Sequence, residues 1–221
     1  TKYYRNQLIK NYIYKGPVLE WYLKVKLRME NNYELFNSII PRSGKIYDIG
    51  CGYGYLSYLL HFVSDERIVT GIDYDSEKIN VANNCPSKNE KVNFVCDDIT
   101  KYAFEPADVF LLSDVLHYFP KEDQESLIKN CVENLNDNGM IVIRDANTNL
   151  KNRHKGTAFS EFMSTKIVGF NKTKDESKEL YFVSSDDIFE MFKKHNMEVE
   201  IVDQTKLTSN VVYIIRKNKF N

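Results

Sequence analysis

The spacing of apolar and polar positions predicts helices first, then strands and helices in turn. Apolar pairs recur at Tyr3/Tyr4, Leu8/Ile9 and Tyr12/Ile13, which is helical spacing over residues 2–14. Gly16-Pro17 breaks that run, and Pro17 suits the first turn of a second helix. Val18, Leu19, Tyr22, Val25 and Met29 give that helix one apolar stripe. Asn31-Asn32 ends it, Tyr33–Ile39 adds a short turn, and Pro41-Arg42-Ser43-Gly44 leads into the first strand.

Beyond residue 44 the pattern changes to short apolar runs. Lys45–Ile49, Arg67–Asp73 and Val92–Ile99 read as three strands, the last two ending in acids. Asp108–Pro120 reads as a fourth strand with its loop, and Leu135–Asp145 as a helix end, a turn and a fifth strand. Helices are predicted near 54–62, 76–84, 121–135 and 185–195, with start signals at Pro120-Lys121-Glu122 and Ser185-Asp186-Asp187. Alternating strands and helices imply a parallel sheet wound on both faces. The last two strands, Glu198–Val202 and Val211–Arg216, are joined by eight residues. That is too short for a parallel crossover, so they pair antiparallel. Residues 146–182 form a long polar insert, in which Phe159, Phe162, Met163, Ile167, Val168 and Phe170 read as one short amphipathic helix. Inserts of that length in a compact domain are usually lids or flexible segments.

Composition narrows the class. The 221 residues suffice for one domain, and 43% apolar content excludes a disordered chain. No apolar run approaches the ~18–20 residues that span a bilayer, and no signal peptide is visible at the N-terminus. The cysteines, Cys51, Cys85, Cys96 and Cys131, are widely spaced with no C-x-x-C. This fits reduced thiols in a cytoplasmic protein better than disulfides or zinc. The net charge of −1 gives no global field for nucleic acid. It is unevenly spread, since residues 1–44 hold eight Lys/Arg and three Glu, a net of +5.

The densest chemical signal is Asp48-Ile49-Gly50-Cys51-Gly52-Tyr53-Gly54, where a strand ends in an acid and breaks into glycines at alternate positions before a helix. Glycines there let backbone approach a ligand closely, and the helix start offers unpaired N–H groups. The dinucleotide fingerprint G-x-G-x-x-G would need Gly where Tyr55 stands. An acid two residues before the first Gly suits a cationic amino group better than a pyrophosphate. With the acids Asp73, Asp97 and Asp98 and the two later strands in order, the chain resembles the class I S-adenosylmethionine (SAM)-dependent methyltransferases over about residues 40–216.

The resemblance implies a Rossmann-like, seven-stranded doubly wound α/β sheet with an antiparallel last strand. It implies N-terminal helices (1–40) as a cap segment, and a SAM-binding domain (41–221) with a cap insert at about 146–182. It implies SAM as cofactor, with S-adenosylhomocysteine as product. Asp48, Gly50, Cys51, Gly52 and Gly54 would form its turn. Asp73, 23 residues after Gly50, would accept the ribose hydroxyls, with Tyr74 beside it. Asp97 or Asp98, the latter preferred, and Ile99 would meet the adenine, and Ser113 and Asp114 close the cofactor set. A plainer reading makes Asp73 the cap of the next helix, Cys51 a small filler, and Asp97 or Asp98 a cap.

Methyl transfer from a sulfonium is an in-line displacement in which positioning supplies much of the rate. A hydroxyl acceptor also needs a base, and His117 after the fourth strand is the candidate, against a pure packing role. Tyr118 and Tyr53 are candidate substrate-lining residues. His154, among Lys151, Arg153 and Lys155, reads as a solvated loop or an anion contact. Asp114, Asp145 and Asn147 only partly fit a metal-dependent variant, since Ala146 splits the expected pair, so no metal is assigned.

Ser113-Asp114-Val115-Leu116 stands where similar enzymes that act on base amines carry their motif, which disfavours nucleic acid, and the aromatic cap segments favour a small or medium organic acceptor carrying a hydroxyl. The stretch from Tyr12 to Leu23 is similar to methyltransferases of aryl-polyene or flexirubin pigment pathways. That similarity implies an aromatic or polyketide-like chain, free or on an acyl carrier protein, and an acidic carrier would suit the basic N-terminal segment. A dimer partner is a further candidate. Two other readings remain: a catalytically silent SAM-binding subunit, and a nicotinamide oxidoreductase, which Tyr55 and Asp48 argue against.

Overall fold

In the computed structural model, residues 2–29, 32–149, 180–203 and 210–218 are described. The amphipathic helix expected around Phe159–Phe170 and the His154 cluster lie outside them. The chain forms two compact units, Thr1–Asp98 and Ile99–Asn221.

The first unit opens with α1 (Lys2–Tyr12), a 3-10 turn (Ile13–Lys15), α2 (Pro17–Met29) and α3 (Asn32–Ile39). It continues with β1 (Gly44–Ile49), α4 (Tyr55–Val63), β2 (Arg67–Asp73), α5 (Ser76–Asn83) and β3 (Val92–Cys96). The three strands are parallel in the order β3-β2-β1, with Ile46 opposite Val69 and Val69 opposite Val92. Every residue from Tyr55 to His61 is buried, because α4 lies between the sheet and α1. The N-terminal helices thus fold with the glycine-turn strands.

Two details depart from the sequence pattern. Tyr33–Ile39 is a true helix, since Tyr33, Phe36 and Ile40 share its buried face. In α2 the buried stripe is Leu19, Leu23 and Leu27, one residue per turn, while Val18 lies outside the core. Strict i,i+4 spacing selects these leucines, so that of Val18, Leu19, Tyr22 and Val25 in the expected stripe only Leu19 is in the core, with Tyr22 and Val25 half-buried.

Arg67 is fully buried, yet it opens β2. Its guanidinium donates to the carbonyls of Pro41 (2.7 Å), Leu60 (2.9 Å) and Ile40 (2.8 Å) and to Asn37 Oδ1 (2.8 Å). It thereby ties the chain that leaves α3 to the last turn of α4, where the Leu60 carbonyl also accepts from the Ser64 N–H at 3.3 Å. Burial, with Arg42 nearby, pushes its pKa down to about 10.

The second unit holds β4 (Ala107–Ser113), a 3-10 turn (Leu116–Tyr118), α6 (Lys121–Glu133), β5 (Leu135–Ala146), α7 (Ser185–Lys193), β6 (Met197–Val202) and β7 (Asn210–Lys217). Its strand order is β4-β5-β7-β6; β4 and β5 are parallel, and β7 runs antiparallel to both β5 and β6. The expected turn at 136–139 belongs to β5 instead, with an irregularity opposite Ala107–Val109. Gly139 is needed there, since a Cβ would lie 2.8 Å from the Asp108 carbonyl. A capping box between Ser184 and Asp187 starts α7. The seven strands make one mixed sheet, as the resemblance implied.

Candidate functional site

The glycine turn leaves β1 with Gly50, Gly52 and Gly54 all at positive φ, 71°, 55° and 75°. Only glycine adopts three such angles in close succession at low cost. The turn is closed by N–H donations from Gly50 and Cys51 to the Ile72 carbonyl (2.8 and 3.0 Å) and from Gly54 to the Cys51 carbonyl (2.9 Å). The glycines differ in role. A Cβ on Gly54 would lie 2.3 Å from Cε1 of Phe94, so Gly54 exists for packing. A Cβ on Gly52 would meet nothing nearer than Lys78 Cδ at 3.9 Å, so this stretch of backbone is open to a ligand.

Asp73 at the end of β2 is buried and reaches back to the turn. Its Oδ2 accepts from the Gly52 N–H at 2.8 Å and its Oδ1 from the Asp75 N–H at 2.9 Å. These bonds use one acceptor direction on each oxygen, and a carboxylate offers about four in all. The cap of α5 is Asp75, which accepts from Glu77 and Lys78 N–H (3.0 and 3.2 Å). The plainer reading of Asp73 as that cap is thereby corrected.

Asp48 is buried at the end of β1, where Ser57 Oγ donates to it at 2.5 Å. Burial lifts its carboxyl to about 6 against the Ser57 hydrogen bonds, with Asp73 adding a smaller push. Cys51 donates weakly to the Gly52 carbonyl (3.8 Å), and burial drives its thiol well above the usual range, as suits a filler. Tyr53 stacks on Tyr55 (centroids 5.6 Å apart), and the Lys78 ammonium lies 5.8 Å from the Tyr53 ring. Lys78 is buried, and its pKa is lowered by that burial. Tyr74 is exposed at the β2 end and its carbonyl accepts from Cys96 Sγ (3.5 Å). The Asp97 N–H donates to the Asp73 carbonyl (3.1 Å) and the Asp98 N–H to Asp97 Oδ1 (2.7 Å). Asp97 is exposed and Asp98 half-buried.

In the second unit Ile99 is buried. Ser113 ends β4, and Asp114 follows with φ at +56°. That left-handed backbone is held by the Asp114 N–H donating to the Arg144 carbonyl (2.8 Å). The Asp114 carboxylate is ion-paired with Arg144 and accepts from Asn210 Nδ2 (3.2 Å). His117 and Asp145 are buried together, with His117 Nδ1 2.7 Å from Asp145 Oδ1. The Ala146 N–H also donates to Asp145 Oδ1 at 2.7 Å. Phe182 stacks on the imidazole at 5.0 Å and Tyr118 tilts against it at 4.3 Å. Gln124 Nε2 staples this turn by donating to the carbonyls of Leu116, Phe119 and Tyr181.

Asp145 as the partner of His117 was not legible in sequence, 28 residues away on another strand. A parallel β4–β5 pairing is the signal that would have found it. Asn147 bonds Ser185 Oγ at 2.6 Å, so Asp114, Asp145 and Asn147 each serve a different protein contact. Among the described residues no group of three or more His, Cys, Asp or Glu could hold a metal. Nor is any described helix long and apolar enough to cross a membrane.

Residues 46–139 match the methyltransferase domain family. The carboxy-S-adenosyl-L-methionine synthase of Campylobacter concisus is 24% identical over 115 residues, 52% of this chain and 49% of that protein. The chain thus spans about half the length of the curated relatives it matches. Human N-acetylserotonin methyltransferase, solved with SAM, superposes with a TM-score of 0.67 at 15% identity, over 91% of this chain and 56% of that one. Magnesium protoporphyrin IX methyltransferase from Synechocystis, solved with S-adenosylhomocysteine, gives 0.63 at 15% identity, over 92% and 89%.

Proposed function

With residues 46–139 a methyltransferase domain and the whole fold that of the class I SAM-dependent methyltransferases, we propose that this protein binds SAM at the glycine turn and methylates a hydroxyl of a small or medium organic acceptor. The observation that carries the reading is the Asp73–Gly52 bond at 2.8 Å beside open backbone at Gly52. It places a carboxylate with spare acceptor capacity next to the stretch a ligand can approach. Asp73 would take the ribose hydroxyls, Asp48 the α-amino group, and Asp98 with Ile99 the adenine. Tyr74, Ser113 and Asp114 complete the assigned set.

Bound SAM supplies a methyl group already activated on a sulfonium, with a neutral thioether as leaving group. The residues of the chain supply position and proton transfer. Asp145 holds Nδ1 of His117, which directs Nε2 to take the acceptor's hydroxyl proton. Phe182 and Tyr118 flank that ring and keep water from it. An aromatic or polyketide-like acceptor, free or on an acyl carrier protein, suits the tyrosines that surround the turn.

The relatives support a second reading, in which the ligand is a carboxylated SAM. Lys78, buried beside Gly52, is a cation suited to a ligand carboxylate.

Calorimetric titration with SAM, S-adenosylhomocysteine, carboxy-SAM and NAD tests both readings. Micromolar binding of the first two is expected, with Asp73→Ala weakening it by about 1–3 kcal/mol through unpaired ribose hydroxyls. Tighter carboxy-SAM binding, lost in Lys78→Met, would favour the second reading. Binding of NAD alone would refute both. SAM binding without turnover of any phenol or carrier-bound chain would leave a silent SAM-binding subunit.

A further inference from the structure

Five of the nine large apolar side chains exposed among the described residues fall between Tyr3 and Trp21. Four lie within nine residues of one another: Val18 is 68% exposed, Trp21 61%, Ile13 51% and Tyr14 46%. Ile13 and Tyr14 lie on the 3-10 turn that meets α2 at Gly16, and Val18 and Trp21 are neighbours one turn apart on α2. These side chains are not a spare core face, because α2 already buries Leu19, Leu23 and Leu27 on its inner side.

The segment that carries them is basic. Residues 2–28 hold seven Lys/Arg and one acid, Glu20. Lys24 occupies that acid at 2.5 Å, and Lys10 and Lys15 are exposed on either side of Ile13 and Tyr14.

We infer that this face docks on an anionic lipid surface, with Trp21, Val18 and Ile13 in the headgroup layer and Lys10 and Lys15 on its phosphates. An acidic protein would satisfy the lysines but not four exposed apolar side chains. A bilayer boundary offers an apolar phase directly beneath negative charge, which is what basic, aromatic interfacial helices use. With 13 residues, α2 is too short to span a bilayer and would lie in its plane. The face is fixed to the body that carries the glycine turn. The Tyr14 hydroxyl donates to the Val81 carbonyl at 2.6 Å, and the Ser87 N–H to Asn11 Oδ1 at 2.9 Å. Docking would hold that body at the membrane. The inference does not depend on which cofactor the turn binds.

Trp21 is the only tryptophan in the chain, so its fluorescence reports this face alone. The 221-residue chain is mixed with phosphatidylcholine vesicles with and without phosphatidylglycerol. The expected result is a blue shift and shielding from an aqueous quencher with the anionic vesicles only, reversed by raised salt. Lys10→Gln and Lys15→Gln should each lower partition about fivefold. Val18→Asp should reduce vesicle pelleting with circular dichroism unchanged. No shift with anionic vesicles from a folded protein would overturn the inference. So would an equal shift with neutral vesicles, a shift produced by an acidic carrier protein but not by lipid, or a concentration-dependent shift without lipid, which would assign the face to a second copy.

Discussion

The Tyr12 hydroxyl donates a 2.7 Å hydrogen bond to the Tyr53 carbonyl, tying the end of the first helix to the middle of the glycine turn. Tyr12 is fully buried, and its ring meets Tyr55 edge-on at 4.7 Å. The N-terminal segment therefore helps to hold the turn in shape. Tyr12→Phe should lower stability by about 1 kcal/mol, the net worth of one hydrogen bond. It should also weaken SAM binding several-fold, because the turn loses its outer restraint. Thermal melting and titration on the same sample check this, and unchanged affinity would confine Tyr12 to packing.

Gly52 and Gly54 should separate ligand binding from folding. Gly54→Ala drives a methyl into Phe94 at positive φ and should cost about 2–4 kcal/mol of stability. Gly52→Ala meets open space and should cost only about 1–2 kcal/mol, the left-handed backbone penalty. SAM affinity should fall at least tenfold in Gly52→Ala, since the methyl occupies the approach. A folded Gly52→Ala variant with normal affinity would place the ligand elsewhere.

Asp48 gives the protein a pH signature. Its folded pKa of about 6 lies above that of a free carboxyl, so the folded state binds its proton more tightly than the unfolded one. Stability from this group is fully present below about pH 4, falls as pH rises to about 6, and is level above. The loss is at most about 3 kcal/mol, and Asp48→Asn should flatten the slope. A cationic amino group prefers ionised Asp48, so SAM affinity should rise through pH 6 in the parent protein and stay flat in the variant.

His117 and Asp145 make the base assignment testable. His117→Ala should cut turnover about 10²–10⁴-fold with SAM affinity nearly unchanged. Asp145→Asn should lower turnover less and move the acid limb of the pH–rate profile to lower pH, because the carboxylate no longer stabilises the imidazolium. A loss of only a few-fold in His117→Ala, with no movement of that limb in Asp145→Asn, would make the pair a packing element under Phe182.

Much of the fold was legible because local rules and global topology agree. Apolar runs ending in acids set β1 and β2, and the eight-residue link before β7 left only antiparallel pairing. Helix boundaries at α4, α5 and α7 came within two residues, where a glycine turn or a Ser-Asp start marks them. The failures share a cause. The stripe expected on α2 held Leu19 but left out Leu23 and Leu27, because Val18, Tyr22 and Val25 are also apolar and only packing against neighbouring helices chooses among them. The Tyr33–Ile39 helix was read as a turn because eight residues carry a weak period.

By itself the sequence determined the strand–glycine–helix signal and its order of acids, since these depend on residue types at fixed short spacings. The tertiary structure decided which partner each of those residues has. It paired Asp73 with Gly52, gave the cap of α5 to Asp75, joined Asp145 to His117, and engaged Asp114 with Arg144. Those pairings join residues 21 to 30 positions apart or depend on backbone angles. A carboxylate's role is set by the donors that reach it, and the chain's local pattern does not record which donors those are.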